Sequence, residues 1–472
     1  MVADHRQQLS PDQLEAAVAG LAGGLRRGGV RRGDRIAWQL PNCVEALLLY
    51  RAAWRLGAIA APVHHQFGES EVHRALVDVE PVMTFSRPGL PLMEGHATGT
   101  VPVGDESWDQ LLGAPPVFVP ACHPPDIAVA LLTSGSTGSP KVVLHSHRGL
   151  ATKALTMVGC HGLLPSDGVL MPAPMAHISG LLNGILVPSA ASMRTVFMER
   201  WDPVEALELI GREHISFMIG PPTIFTALMS VDRFGEQAVS SLRLISSGAT
   251  GVTPEFVERA RAAFGAVVKR TYGCTEAPTL TTSGPEDGLT RARETDGRAT
   301  GRDTKIRIVD PASGVLLPPG AQGEVQARGP ELFVGYADAA QTAEAVVDGW
   351  FRTGDLGVID DAGYLTIVGR TKELIIRGGE NIAPAEIERV LEGHPLIRQA
   401  VAVGYPDERL GERVAVFVVG PPDFDLDACR AWMTDAGVAR FKIPERVISV
   451  PELPVLSLGK PDRMGLKALL DA

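Results

Sequence analysis

The run IAVALLT, Ile127 to Thr133, is apolar without alternation until its last residue. A strand buried on both faces reads this way, because no position of it needs to meet water. The run breaks off into SGSTGSP and the chain resumes as KVVLHSH, a second strand-like run. Strands covered on both faces belong to α/β architectures, in which helices supply the cover. The flanking segments agree. SPDQLEAAVAGLAGGLRR predicts a helix capped by Ser10, with Pro11 in its first turn, Gln13 completing a capping box, and Leu14, Val18, Leu21 and Leu25 at helical spacing. DRIAWQLPN reads as a strand and turn, and CVEALLLYRAAWRLGA as a second helix.

Further along, HISFMIGPPTIFTALM, LRLISSGAT and VKRTYGCTEAP each end a strand-like run in small or polar residues. Ligands of open α/β sheets gather at such carboxyl ends. Thr223, Ser247, Gly248 and Gly273 at or after these ends, with His177, are pocket candidates. From 301 to 368 the pattern changes to short strands and turns, a β-rich subdomain. Beyond GRTK, Gly369 to Lys372, strand and helix alternate again, which predicts a small separate domain.

Composition narrows the function classes. A net charge of −11 disfavours nonspecific binding to nucleic acid or anionic membranes. No apolar run reaches the roughly 18 residues of a membrane span. The five cysteines stand far apart with no CxxC pair, against a disulfide framework or a zinc site and consistent with a reducing cytoplasm.

The glycine-rich loop has the chemistry of a phosphate cradle. Glycines free backbone N–H groups for close approach, and hydroxyls and a lysine add donors and charge. Thr133, Ser134, Gly135, Ser136, Thr137, Gly138 and Lys141 supply these groups. The spacing is wrong for a P-loop kinase, since only Ser136 and Thr137 separate the two glycines and Pro140 precedes the lysine. On the loop alone, a phosphate cradle and a plain linker both fit.

TSGSTGSPK is one of six ordered segments that together resemble the adenylate-forming superfamily, which includes acyl-CoA synthetases. The others are PMAHISG (Pro174–Gly180), YGCTEAP (Tyr272–Pro278), WFRTGDLG (Trp350–Gly357), GRTKELIIRGGENIAPAEIE (Gly369–Glu388) and LSLGKPDR (Leu456–Arg463). Within that family the chain is most similar to bacterial ligases for medium-chain or alicyclic acids. The resemblance implies an α/β fold in which a large N-terminal domain, residues 1–370, stacks αβ subdomains on a β-rich one. A small mobile C-terminal α+β domain, 371–472, follows. It implies ATP-dependent activation of a carboxylic acid to an acyl-adenylate and transfer to CoA, with magnesium as the metal.

The implied roles follow residue by residue. The glycine-rich loop, Thr133 to Lys141, holds the β- and γ-phosphates. Glu276 is the magnesium ligand, with Thr133 beside it, and Thr275 contacts the α-phosphate. Tyr272 stacks on adenine, with Gly248, Ala249 and Gly273 around the nucleotide. Asp355 accepts from the ribose hydroxyls, and Arg370 reaches ribose and adenylate. Lys372 is the hinge. Lys460 is the mobile lysine of adenylation, a positive charge placed where negative charge builds in the transition state. Gly378, Gly379 and Glu380 pass the pantetheine arm in the second half-reaction. His177 lines the acyl pocket. Cys274 is expected to be an unreactive small residue, and His145 and His147 to be surface histidines on alternate strand positions.

Some positions depart from the family pattern. Ala176 precedes His177 where an aromatic residue is common, and Val455 and Leu456 precede the catalytic lysine. Ile443 and Glu445 stand where relatives place basic residues against the CoA nucleotide, with Lys442 and Arg446 as substitutes. The N-terminus starts late, so an edge of the first domain is expected to be short. Two alternatives stay open from sequence: a ligase that loads a carrier protein, and a nucleotide-binding homologue with impaired catalysis.

Overall fold

The computed structural model describes residues 1–95, 99–133, 141–235, 238–248, 251–377, 380–455 and 461–470. Among these, the strand Ile127–Thr133 sits inside a seven-stranded sheet, between Ile59–Val63, parallel to it, and Lys141–Ser146, antiparallel to it. Its alternate residues enter different cores. Val129 and Leu131 face a large cluster with Trp38, Tyr50, Leu150 and Phe217, while Ala130 and Leu132 face a smaller one with Val63, Val72 and Leu92. That is why the segment tolerates no polar position until its end.

A second sheet, nine-stranded among the described residues, carries Gly168–Met171, Phe217–Gly220, Leu244–Ser247 and Val267–Tyr272 as parallel neighbours. The two sheets share one apolar cluster, to which the helices Pro11–Arg27, Val44–Leu56 and His147–His161 also contribute. Ten of the thirteen residues of Val44–Leu56 are buried, so this helix is an inner layer rather than a surface one. The helices Pro203–Arg212, Pro222–Met229 and Pro254–Phe264 cover the outer face of the second sheet. The predicted capping box at Ser10 and Gln13 is present. Residues Val2–Ala3 and Gln8–Leu9 form a hairpin at the edge of the second sheet.

A third sheet, built on Lys305–Val309, Gln322–Arg328, Trp350–Ile359 and Leu365–Arg370, is the β-rich subdomain. The C-terminal domain has its own sheet, with Ile375–Arg377, Glu380–Ile382, Gln399–Asp407, Gly411–Val419 and Arg446–Ser449, and its own apolar cluster around Ile387, Leu391, Val416 and Cys429. No described helix is long and apolar enough to cross a membrane.

Polar ties lock the loop after Met171 against the first sheet's helix layer. The Asn42 amide donates to the carbonyls of Met171 (3.1 Å) and Ala173 (2.8 Å) and accepts from the Met175 N–H (2.8 Å). The buried Tyr50 hydroxyl donates to the Met175 carbonyl at 2.7 Å. The loop then folds back over the helix start so closely that a Cβ on Gly180 would lie 2.2 Å from the Pro174 carbonyl oxygen. Gly180→Ala should therefore cost about 1–3 kcal/mol, the usual scale of overpacking. Urea denaturation of the full chain reads this, and an unchanged midpoint and slope would show that the loop has room to yield.

Candidate functional site

The strand ends and their following turns converge two groups of side chains. In the first, strand Trp350–Ile359 brings Asp355 opposite Arg370 of the neighbouring strand, and Arg370 Nε lies 2.8 Å from Asp355 Oδ1. The Tyr272 hydroxyl, at the end of strand Val267–Tyr272, donates to Asp355 Oδ2 at 2.6 Å. Asp355 is buried, whereas about half of the Arg370 side chain is exposed. Burial, then the Asp355 charge, pushes the Tyr272 phenol well above its usual value, which keeps it a donor. Thr371 donates to the Gly354 carbonyl at 2.9 Å and ties the turn Thr371–Glu373, which contains Lys372, to the same strand.

The second group surrounds Glu276. Its Oε1 accepts from the Tyr336 hydroxyl at 2.6 Å, and its backbone carbonyl accepts from the Phe333 N–H at 2.8 Å. The preceding carbonyl, that of Thr275, lies 2.8 Å from His145 Nε2. Lys141 Nζ sits over the Tyr336 ring, 4.6 Å from its centroid. Thr133 is the strand partner of Lys141 and donates from Oγ1 to its carbonyl at 3.4 Å. Gly273 allows the turn between the two groups to close, since a Cβ there would lie 2.5 Å from the Thr279 nitrogen.

The chain thus brings together Thr133, Lys141, Tyr272, Gly273, Thr275, Glu276, Asp355 and Arg370 from separated segments. Gly248 follows the neighbouring strand Leu244–Ser247, its N–H donating to the Gly220 carbonyl at 3.3 Å. His177 precedes the short helix Ile178–Leu181, its ring 4.8 Å from that of His64, which is buried at the end of strand Ile59–Val63. Glu380 opens the strand Glu380–Ile382 of the C-terminal sheet, paired with Arg377. Ser134, Gly135, Ser136, Thr137, Gly138, Ala249, Gly378, Gly379 and Lys460 lie outside the described residues, as does the Lys372 side chain.

One expectation is corrected. His145 is fully buried rather than on the surface, because the strand face it shares with Lys141 points inward, toward the Thr275 turn. His147 is not on the strand at all; it begins the helix His147–His161. Two contributors escaped the sequence reading, Tyr336 and His145. For His145 a signal existed: it lies four residues from Lys141 on a strand, hence on the same face. For Tyr336 there was none, since its partner is sixty residues away.

The substitutes proposed for CoA contacts are engaged elsewhere. Lys442 pairs with Glu386, and Arg446 lies over the Tyr405 ring at 4.5 Å. Glu445 is neutralised by Arg377 at 2.6 Å and also accepts from the Val414 N–H at 3.0 Å.

A metal arriving with a nucleotide needs a hard oxygen donor and gets its remaining ligands from phosphate and water. Glu276, a partly open carboxylate with Thr133 and Lys141 beyond it, fits that requirement. The described residues hold no group of three or more acidic, histidine or cysteine side chains that would cage an ion by themselves.

Residues 1–337 match the family model for the AMP-binding enzymes, and 386–460 that for the AMP-binding enzyme C-terminal domain. A medium-chain fatty-acid–CoA ligase of Escherichia coli is 32% identical, covering 98% of this chain and 85% of its own. An indoleacetate–CoA ligase of Aromatoleum aromaticum is 34% identical, covering 96% and 92%. The crystal structure of ATP-bound MatB from Rhodopseudomonas palustris is 30% identical and superposes with a TM-score of 0.92, covering 99% of this chain and 95% of that one.

The buried imidazoles make stability depend on acid. Burial holds His145 near a pKa of about 4 and His64 near about 3, while an unfolded histidine titrates near 6.5. Between these limits the unfolded chain binds more protons than the folded one. Stability is therefore full above about pH 6.5 and is lost as pH falls below it, by ~1.4 kcal/mol per unit of pKa difference for each histidine. Thermal melts at pH 7.5 and pH 5 should show a lower transition at pH 5. Equal transitions would mean these rings reach water or a partner on protonation.

Proposed function

We propose a substrate class and a division of labour for this chain, which belongs to the AMP-binding enzymes and, with its relatives, to the AMP-forming acid–CoA ligases. The acid is a medium-chain or alicyclic carboxylic acid, and the acceptor is the thiol of CoA. The acid's carboxylate oxygen attacks the α-phosphorus of ATP, pyrophosphate leaves, and the thiol, losing its proton, then displaces AMP from the acyl carbon.

The observation that carries the division of labour is the pairing of the two groups of side chains across one turn. Asp355, held by Tyr272 and Arg370, offers carboxylate oxygens where a ribose would present two adjacent hydroxyls. The Tyr272 ring is available for stacking on adenine. Lys141 and the loop 133–141 receive the β- and γ-phosphates, and Thr275 the α-phosphate. Glu276, with Thr133, holds magnesium, which when bound offsets phosphate charge and polarises the transferred phosphorus. Lys460 supplies the charge that stabilises the adenylation transition state. Lys372 is the pivot that exchanges it for the segment Gly378–Glu380 in the second half-reaction. His177 lines the acyl pocket. The free cysteines, Cys43, Cys122, Cys160, Cys274 and Cys429, suit a cytoplasmic setting.

AMP and pyrophosphate release from MgATP, measured over medium-chain, alicyclic and aromatic acids with and without CoA, tests the reading. Acid-dependent AMP release should require CoA for turnover, with the preferred acid among the first two classes. Release limited to about one equivalent and indifferent to CoA would replace CoA by a carrier-protein thiol. Lys460→Ala should slow pyrophosphate release by about 10²–10³-fold, the scale of one lost transition-state donor. It should leave thioester formation from a supplied acyl-adenylate within a few-fold of the parent. Equal loss in both assays would remove Lys460 from its adenylation role.

A further inference from the structure

We infer that Tyr336 is a positioning residue that couples the loop lysine to the metal carboxylate, setting Lys141 and Glu276 in place before MgATP binds. The inference deepens the proposed function, because it rests on reading Lys141 as a phosphate cation and Glu276 as the magnesium ligand.

Each end of Tyr336 is committed to one of these groups. Its hydroxyl donates to Glu276 Oε1 at 2.6 Å, and its ring face carries the Lys141 ammonium at 4.6 Å. A phenol bonded to a carboxylate presents an electron-rich ring, which favours a cation over its face. Opposite charges are thus joined through one side chain without touching, and each keeps its capacity for a ligand. Direct pairing of the lysine with the carboxylate would use up both.

The tyrosine itself is held from several directions. Tyr336 pairs with Val143 and Gly335 with Leu144, so the two-residue strand adds onto the strand that starts at Lys141. Thr342 accepts from the Tyr336 N–H at 2.9 Å. Phe333 meets the tyrosine ring edge-on at 5.1 Å and packs on Phe351 at 5.0 Å. Phe333 also donates its N–H to the Glu276 carbonyl, so the segment that carries the tyrosine grips the glutamate twice, once by backbone and once by side chain. Burial, reinforced by the neighbouring Glu276 charge, raises the phenol far above its usual pKa and keeps the donor protonated.

The test measures equilibrium binding of ATP to the full chain by calorimetry, once with excess magnesium and once with EDTA, together with melting temperatures. Tyr336→Phe removes the hydroxyl and keeps the ring. It should raise the Kd for MgATP about tenfold, the scale of a lost hydrogen bond to a charged group, and leave the Kd for metal-free ATP within twofold. Tyr336→Leu removes the ring as well and should raise both. Lys141→Met, which leaves the tyrosine intact, should weaken metal-free ATP and retain most of the magnesium-dependent gain.

Adding Tyr336→Phe to Glu276→Gln should cost little beyond Glu276→Gln alone, since the hydroxyl acts through that carboxylate. Unchanged MgATP affinity in Tyr336→Phe, while Glu276→Gln abolishes the magnesium-dependent gain, would overturn the role of Tyr336 and spare the metal reading. A full magnesium-dependent gain in Glu276→Gln would overturn the metal reading and this inference with it. A parallel loss with and without magnesium in Tyr336→Phe would mark the tyrosine as merely structural.

Discussion

Two residues, Gly335 and Tyr336, add antiparallel to the strand Lys141–Ser146 and so fasten a segment near the β-rich subdomain onto the edge of the first sheet. The candidate site depends on this short pairing. It brings a phenol under the loop lysine, a backbone donor to the Glu276 carbonyl, and an apolar wall of Phe333 and Phe351 behind both. Without it, Glu276 would lose both the donor to its carboxylate and the donor to its carbonyl. A backbone hydrogen bond and a charge-assisted one from the same segment restrict the turn in position and orientation together.

The same logic recurs behind the site. Lys153 and Glu331 form an almost fully buried pair at 2.7 Å, and the lysine also donates to the Thr279 carbonyl (3.1 Å) and Thr300 Oγ1 (2.7 Å). Thr304 donates to Glu331 at 3.1 Å. A buried pair is costly unless its remaining donors and acceptors are met, and here they are met by groups from several segments. The arrangement joins the helix His147–His161, the turn after Glu276 and the entry to the β-rich subdomain. The turn that carries Glu276 is therefore bounded by fixed polar contacts on both sides.

Between the large domain and the C-terminal one, the ion pair of Asp355 with Arg370 marks the change of mechanical character. Before it, strands pair at length within the β-rich subdomain; after it come a single turn and a separate sheet with a separate core. Among the described residues, one tie across the boundary is polar, Arg389 donating to the Ile367 carbonyl at 3.3 Å. Contacts of that sort can be exchanged for water at small cost, whereas the shared apolar cluster of the first two sheets cannot.

Much of this was legible in the residues alone, where local rules decide. Ser10, Pro11 and Gln13 specify a helix start because a cap needs only near neighbours. The unbroken apolar run before Thr133 specifies a doubly covered strand because burial on both faces excludes every polar side chain. The ordered motifs named Lys141, Tyr272, Glu276, Asp355 and Arg370 as candidates for a nucleotide site, and the fold gathers them. The residues that hold these in place were not legible. Tyr336 reaches Glu276 across sixty positions of chain, and His145 looked like a surface histidine until the packing of its strand gave its face a direction. Hydrogen bonds between distant segments leave no periodicity in the sequence, so only the tertiary structure decides which tyrosine meets which carboxylate.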